Sequence, residues 1–131
     1  MNHQELFEQF SMKGQLKLPA AAIPFGELPW NNHPTFDGVE LKHLVASGQT
    51  GGQFSYHLVR IAPNKAIGRH IHETQLETHE VIAGTGTCVN DHADLSYEPG
   101  TITILPMGLP HEVKAGPDGL YLFAKFIPAL V

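Results

Sequence analysis

A chain of 131 residues and 14.3 kDa is long enough for one domain with a buried core, and 42% hydrophobic against 16% charged residues excludes a disordered polymer. A formal charge of −5 without a basic stripe excludes nucleic acid as a partner, because phosphate binding rests on clustered lysine and arginine. No apolar run approaches the ~20 residues that span a bilayer. The start Met1-Asn2-His3 shows no secretory pattern, so cytoplasmic is the default location. Cys88 stands alone, which excludes a disulfide framework and leaves the redox compartment open. Thirteen glycines and ten prolines predict short elements joined by tight turns.

Residues 1–35 are expected to form a helix and a strap packed on a barrel of residues 36–131, or on a partner subunit. Between Gln4 and Phe10, Leu6, Phe7 and Phe10 alternate with polar residues at helical spacing. So short a helix needs something to pack on. From Lys17 to Pro34 the chain is punctuated by Pro19, Pro24, Pro29 and Pro34, which predicts an extended, irregular strap with room for an edge strand. Trp30 should anchor at the rim of the core, and His33 should be exposed.

Strand signals follow. Val39–Val45 alternates, Gly48–Gly52 reads as a glycine-rich turn, and Phe54–Ile61 reads as the next strand. Thr78–Ala83 is a strand that should end at Gly84-Thr85-Gly86, with Thr87–Val89 as another. Asn90–Ala93 has hairpin-turn chemistry, Leu95–Glu98 and Thr101–Leu105 are short strands, and Gly116-Pro117-Asp118-Gly119 predicts a turn before a last strand, Leu120–Ile127. Regularly spaced short strands argue an all-β sandwich or closed barrel. On the Phe54–Ile61 strand, Tyr56 and Arg60 share one face and His57 takes the other, so the interior receives one set or the other. An inward Arg60 would favour an anionic ligand; a solvated Arg60 is the simpler expectation. Cys88 should be a small buried residue, and His3, His43 and His92 should lie at the surface.

The chemistry concentrates between Gly68 and His111. His70 and His72 are spaced i, i+2, which in an extended strand puts both imidazoles on one face. With Glu77 and a more distant His111 they form a common donor set for a first-row divalent ion. His79, two residues beyond Glu77, faces the same interior if the strand is regular. It could orient a ligand, act as acid or base, replace a ligand, or merely line the cavity. Glu80 should face away, and Glu73 and Gln75 should be solvated.

These segments resemble the two motifs of the cupin family. The first runs His70-x-His72, four residues, Glu77, six residues, Gly84; the second runs Gly100, five residues, Pro106-x-Gly108, two residues, His111. Fifteen residues separate Gly84 from Gly100, similar to the compact spacing of small single-domain bacterial cupins. Two positions depart from the pattern: Asn64 stands where the family has an opening glycine, and Ala115 where an asparagine often follows the last histidine. The resemblance implies a single cupin jelly-roll barrel (a double-stranded β-helix) with a metal in its mouth. By position, the ligands would be His70, His72, Glu77 and His111, and the ion Fe, Mn, Ni, Zn, Co or Cu. The expected activity is a metal-dependent reaction on a small polar organic molecule, of dioxygenase, isomerase or lyase type. The alternative is a non-catalytic module that binds or senses a small ligand or metal. Small cupins are often dimers, and a two-fold homodimer is the commonest assembly.

Overall fold

The computed structural model describes all residues, Met1–Val131. Helix α1 (His3–Lys13) extends beyond the Gln4–Phe10 stretch because its ends are well capped. The Asn2 side chain accepts the Glu5 N–H at 2.8 Å, and Glu5 and Lys13 complement the dipole at either end. The proline-rich segment is more regular than expected. Gln15–Leu18 (β1) and Ala21–Pro24 (β2) pair as an antiparallel hairpin, with Pro19 in its turn and Pro24 at a strand end, where no ladder donor is lost. A 3-10 turn over Phe25–Glu27 and a two-residue strand, β3 (Asn31–Asn32), complete the strap.

The barrel strands are β4 (Val39–Val45), β5 (Ser55–Ile61), β6 (Ala66–His70), β7 (Leu76–Asn90), β8 (Asp94–Tyr97), β9 (Ile102–Leu105) and β10 (His111–Ile127). A one-turn helix, α2 (Ser47–Thr50), occupies part of the expected Gly48–Gly52 turn. Two strands are much longer than their sequence suggests. β7 runs through Gly84-Thr85-Gly86, and β10 runs through Gly116–Gly119. Both stretches were expected to break a strand, and both are bulges. The β7–β10 register jumps from Ala115↔Gly86 to Leu120↔Gly84, so the two strands bend together and stay paired. Gly84 sits at φ 75°, and a Cβ there would collide with the Gly119 carbonyl, so the bend requires glycine. Asn64 adopts the left-handed conformation at φ 60° that its resemblance to a glycine position implied.

This double bend makes the jelly roll. The second half of β10 lies between β5 and the first half of β7, and its first half lies between β6 and the second half of β7. β9 and β8 extend the two halves of β7, and β3 and β4 extend β5. Alternation then fills two cores. Inward residues such as Val39, Val59, Ile61, Val81 and Leu122 pack inside the barrel. Outward Leu44 and Leu58 pack with Phe7 of α1 and Phe25 of the strap. Lys42 is buried in this second layer, where its ammonium donates to the Ser11 and Phe25 carbonyls at 2.7 and 2.8 Å. Trp30 is half-buried at the rim, with the Arg60 guanidinium 4.0 Å above its ring. No helix is long and apolar enough to cross a membrane.

Candidate metal centre

β10 assembles the site. Its first residue, His111, pairs with His70 at the end of β6, and Phe126 near its other end pairs with Glu77 at the start of β7. His72 lies just past the end of β6, and the loop holding it is tied down by the Gly108 N–H, which donates to the His72 carbonyl at 2.9 Å. One ligand atom from each of His70, His72, Glu77 and His111 lies within 4.8 Å of the others.

Three of the four donors are prepared by a neighbour. The His70 Nδ1–H donates to the Gly68 carbonyl at 2.8 Å, and the His111 Nδ1–H donates to the Leu109 carbonyl at 2.9 Å. Both rings therefore carry a lone pair on Nε2. The His79 Nε2–H donates to Glu77 Oε2 at 2.8 Å, and His79 Nδ1 accepts the Tyr97 hydroxyl at 2.8 Å. That fixes the Glu77 carboxylate and turns Oε1 towards the histidines. Glu77 Oε1 lies 3.2 Å from His111 Nε2 and 3.7 Å from His72 Nε2. The first contact is misaligned, so Glu77 Oε1 and His111 Nε2 are both buried with no hydrogen-bond partner.

The electrostatics favour an ionised carboxylate. Burial pushes the Glu77 carboxyl up, but the His79 and His111 imidazoles outweigh it and hold the group far below its ordinary range. Burial lowers His111 in turn, and the Glu77 carboxylate with the Leu109 carbonyl more than reverses that. Burial lowers His70 and His72, which keeps their nitrogens neutral and able to ligate. Three imidazoles and one carboxylate that include two orphaned polar atoms fit a divalent first-row ion.

A model of the cupin domain matches residues 57–119, just under half of the chain, and includes His70, His72, Glu77 and His111. The chain folds as a small cupin-type barrel whose central segment matches the cupin-domain model. No curated protein matches it. Its cupin barrel is similar to that of a predicted oxalate decarboxylase from Thermotoga maritima, at 21% identity over 77% of this chain and 91% of that one, with a TM-score of 0.69. It is also similar to an RmlC-like cupin from Shewanella frigidimarina, at 15% identity over 88% and 95% of the two chains, with a TM-score of 0.70. The polyketide cyclase RemF from Streptomyces resistomycificus shares 20% identity over 78% of this chain and 74% of its own, with a TM-score of 0.67. At these identities the likeness is one of fold.

The structure decides one placement that the sequence left open and differs from it at others. His57 faces the interior and is fully buried, so Tyr56 and Arg60 face outward. Arg60 is not simply solvated: it is half-buried, donating to both Glu40 oxygens at 3.0 and 3.2 Å. His43 was expected at the surface, but it is half-buried with Nδ1 2.8 Å from His57 Nδ1, because its register partner on β5 is His57. His33 was expected to be exposed, but it is half-buried at the mouth of the cupin cavity, stacked on Phe36 at 4.8 Å. Cys88 is buried, as expected of a small core residue. Tyr97 received no notice in the sequence, because nothing near it marks a residue that meets His79 across the barrel. Burial pushes its hydroxyl up, which keeps it a proton donor.

His57 also completes a hydrogen-bond chain. Its Nε2 lies 2.7 Å from Ser55 Oγ, which accepts the Leu130 N–H at 2.9 Å. The Ser55 hydroxyl donates to Nε2 and the His57 Nδ1–H donates to His43, so both nitrogens of the His57 ring are engaged. Burial, reinforced by His43, lowers His57 from 6.5 to about 4. On acidification the unfolded chain therefore takes up this proton first. Stability should fall as the pH drops from about 6.5 to about 4, by on the order of 3 kcal/mol from this residue. Denaturant unfolding of metal-free protein at several pH values in that window checks this. His57→Gln should lose less stability on acidification than the parent, and an identical pH slope in both would contradict the account.

Proposed function

We propose that this cupin is a metal-dependent enzyme that holds one divalent first-row ion through His70, His72, Glu77 and His111. It acts on a small organic molecule in the barrel mouth, by chemistry of dioxygenase, isomerase or lyase type. The observation that carries this reading is the pair of buried, unpartnered atoms, Glu77 Oε1 and His111 Nε2, aimed into a cluster of lone pairs. A bound ion would polarise a carbonyl, acidify water or engage dioxygen. The chain's own residues prepare the ground: the Gly68 and Leu109 carbonyls set two tautomers, and His79 orients Glu77. Both nitrogens of His79 are engaged, which favours positioning over a role as free acid or base. Relatives of the same fold with enzyme names, among them the decarboxylase and the cyclase, support a catalytic reading.

Elemental analysis of untagged protein purified without chelators tests it. The expectation is about one transition ion per chain, lost in a His70→Ala/His111→Ala double variant. Protein that takes up no metal after reconstitution with iron, manganese, nickel and zinc would sink the reading. Metal and ligand binding without turnover would make the domain a non-catalytic ligand-binding module.

We also propose that residues 1–35 clasp the barrel and that two copies pair about a two-fold axis. Supporting this, Ile102 and Ile104 project from β9 at 69% and 66% exposure, beside a groove lined by Leu6, Phe10 and Ile82. Light scattering should give a dimer mass that Ile102→Lys/Ile104→Lys reduces to a monomer; a monomeric parent would refute the pairing.

A further inference from the structure

The cavity above the histidine cluster has a volume of about 330 Å³, at the small end of the roughly 300–1,000 Å³ typical of ligand sites. Its inner end is polar, with His70, His72 and Glu77. Its walls are apolar, supplied by Leu41, Val59, Leu122 and Phe126 from the barrel and by Phe36 and Leu130 at the mouth. No lysine or arginine lines it. The cations nearest in sequence are engaged elsewhere: Arg60 with Glu40 and Trp30, Lys42 with two backbone carbonyls, Lys65 with Asp37 and Arg69 with Asp91.

His33 at the rim does not supply the missing charge. Its Nδ1 accepts the Thr35 and Phe36 N–H groups at 3.1 and 3.2 Å, so the ring proton sits on Nε2. Protonating Nδ1 would break both bonds, and burial opposes it further. His33 can therefore offer the tail of a ligand one neutral donor, suited to a carbonyl or ether oxygen. At the inner end, Glu77 cancels one charge of a divalent ion and leaves one to be met by a ligand.

We infer that the ligand of this cavity is a small molecule with an apolar body and a weakly acidic oxygen head, such as an enolisable ketone or a phenol, and carries no carboxylate on its tail. The inference rests on the metal reading above and narrows the small polar molecule that the sequence suggested. A carboxylate tail would be stripped of water against Leu41, Val59 and Leu122 with no cation to receive it. A head carrying one negative charge would be matched by the ion and Glu77.

Two ligands with the same head test this: 4-methylcatechol and 3,4-dihydroxybenzoate, titrated anaerobically into zinc-loaded protein by calorimetry. Zinc uptake by the metal-free protein is measured first. The expected result is that zinc binds and that 4-methylcatechol binds about tenfold or more tightly than the carboxylate. A folded Leu41→Arg variant, which places a cation on the wall, should narrow that gap by improving 3,4-dihydroxybenzoate binding. Equal or tighter binding of the carboxylate by zinc-loaded parent protein overturns the inference and leaves the metal reading standing. A gap unchanged in the folded Leu41→Arg variant overturns it as well. No zinc uptake overturns the metal reading and this inference together.

Discussion

An ionised carboxylate buried to 5% exposure needs positive or donating partners, and the inner end of this barrel is arranged around that need at Glu77. One oxygen is satisfied by His79, which is held in turn by Tyr97. The other faces His72 and His111 without a hydrogen bond. Partial satisfaction of this kind is costly in a low-dielectric interior, and a cation between the carboxylate and the imidazole lone pairs would relieve it. The same carboxylate explains why His111 is raised while His70 and His72 are lowered: His111 is buried closest to Glu77, and the other two feel burial more than its charge.

The barrel supplies this arrangement through pairing register. Because β10 is bent at Gly116–Gly119 and pairs with β7 on either side of the bend, it carries His111 to one side of the site and Phe126 to the other. The two sequence motifs are joined directly by the hydrogen bond from Gly108 to the His72 carbonyl, so a loop of the second motif fixes a donor of the first. Positive φ at Gly84, 75°, and at Gly108, 77°, serves the bend and this loop. Helix α1 and the first part of the strap work on the opposite face of the sheet, where Phe7, Phe25 and Lys42 make a second layer, and only the end of the strap, at His33, reaches the cavity.

Much of this was legible from the chain. Period-two alternation located the strands, and the spacing of His70, His72, Glu77 and His111 named four residues whose donor atoms converge. What escaped was decided by partners distant in sequence. Glycine and proline at 84–86 and 116–119 have the composition of turns, and only their mutual pairing makes them bulges inside long strands. His57 and His43 look like any histidines on a strand until β4 is laid beside β5. Nothing in the sequence marks Lys42 for burial, yet α1 and the strap lower two carbonyls onto it. His33 lies near the end of the proline-rich strap, whose course to the cavity mouth is set by β3 pairing with β4. Local pattern records which face a side chain takes, and tertiary pairing decides what covers that face.

Glu77 and three imidazoles are proposed to share one ion. X-ray absorption at the zinc edge of zinc-loaded protein tests it most directly. The account predicts about three imidazole nitrogens and one carboxylate oxygen at roughly 2.0–2.2 Å, with the imidazole scattering reduced in His111→Ala. A shell without imidazole scattering, or one unchanged in that variant, would contradict it.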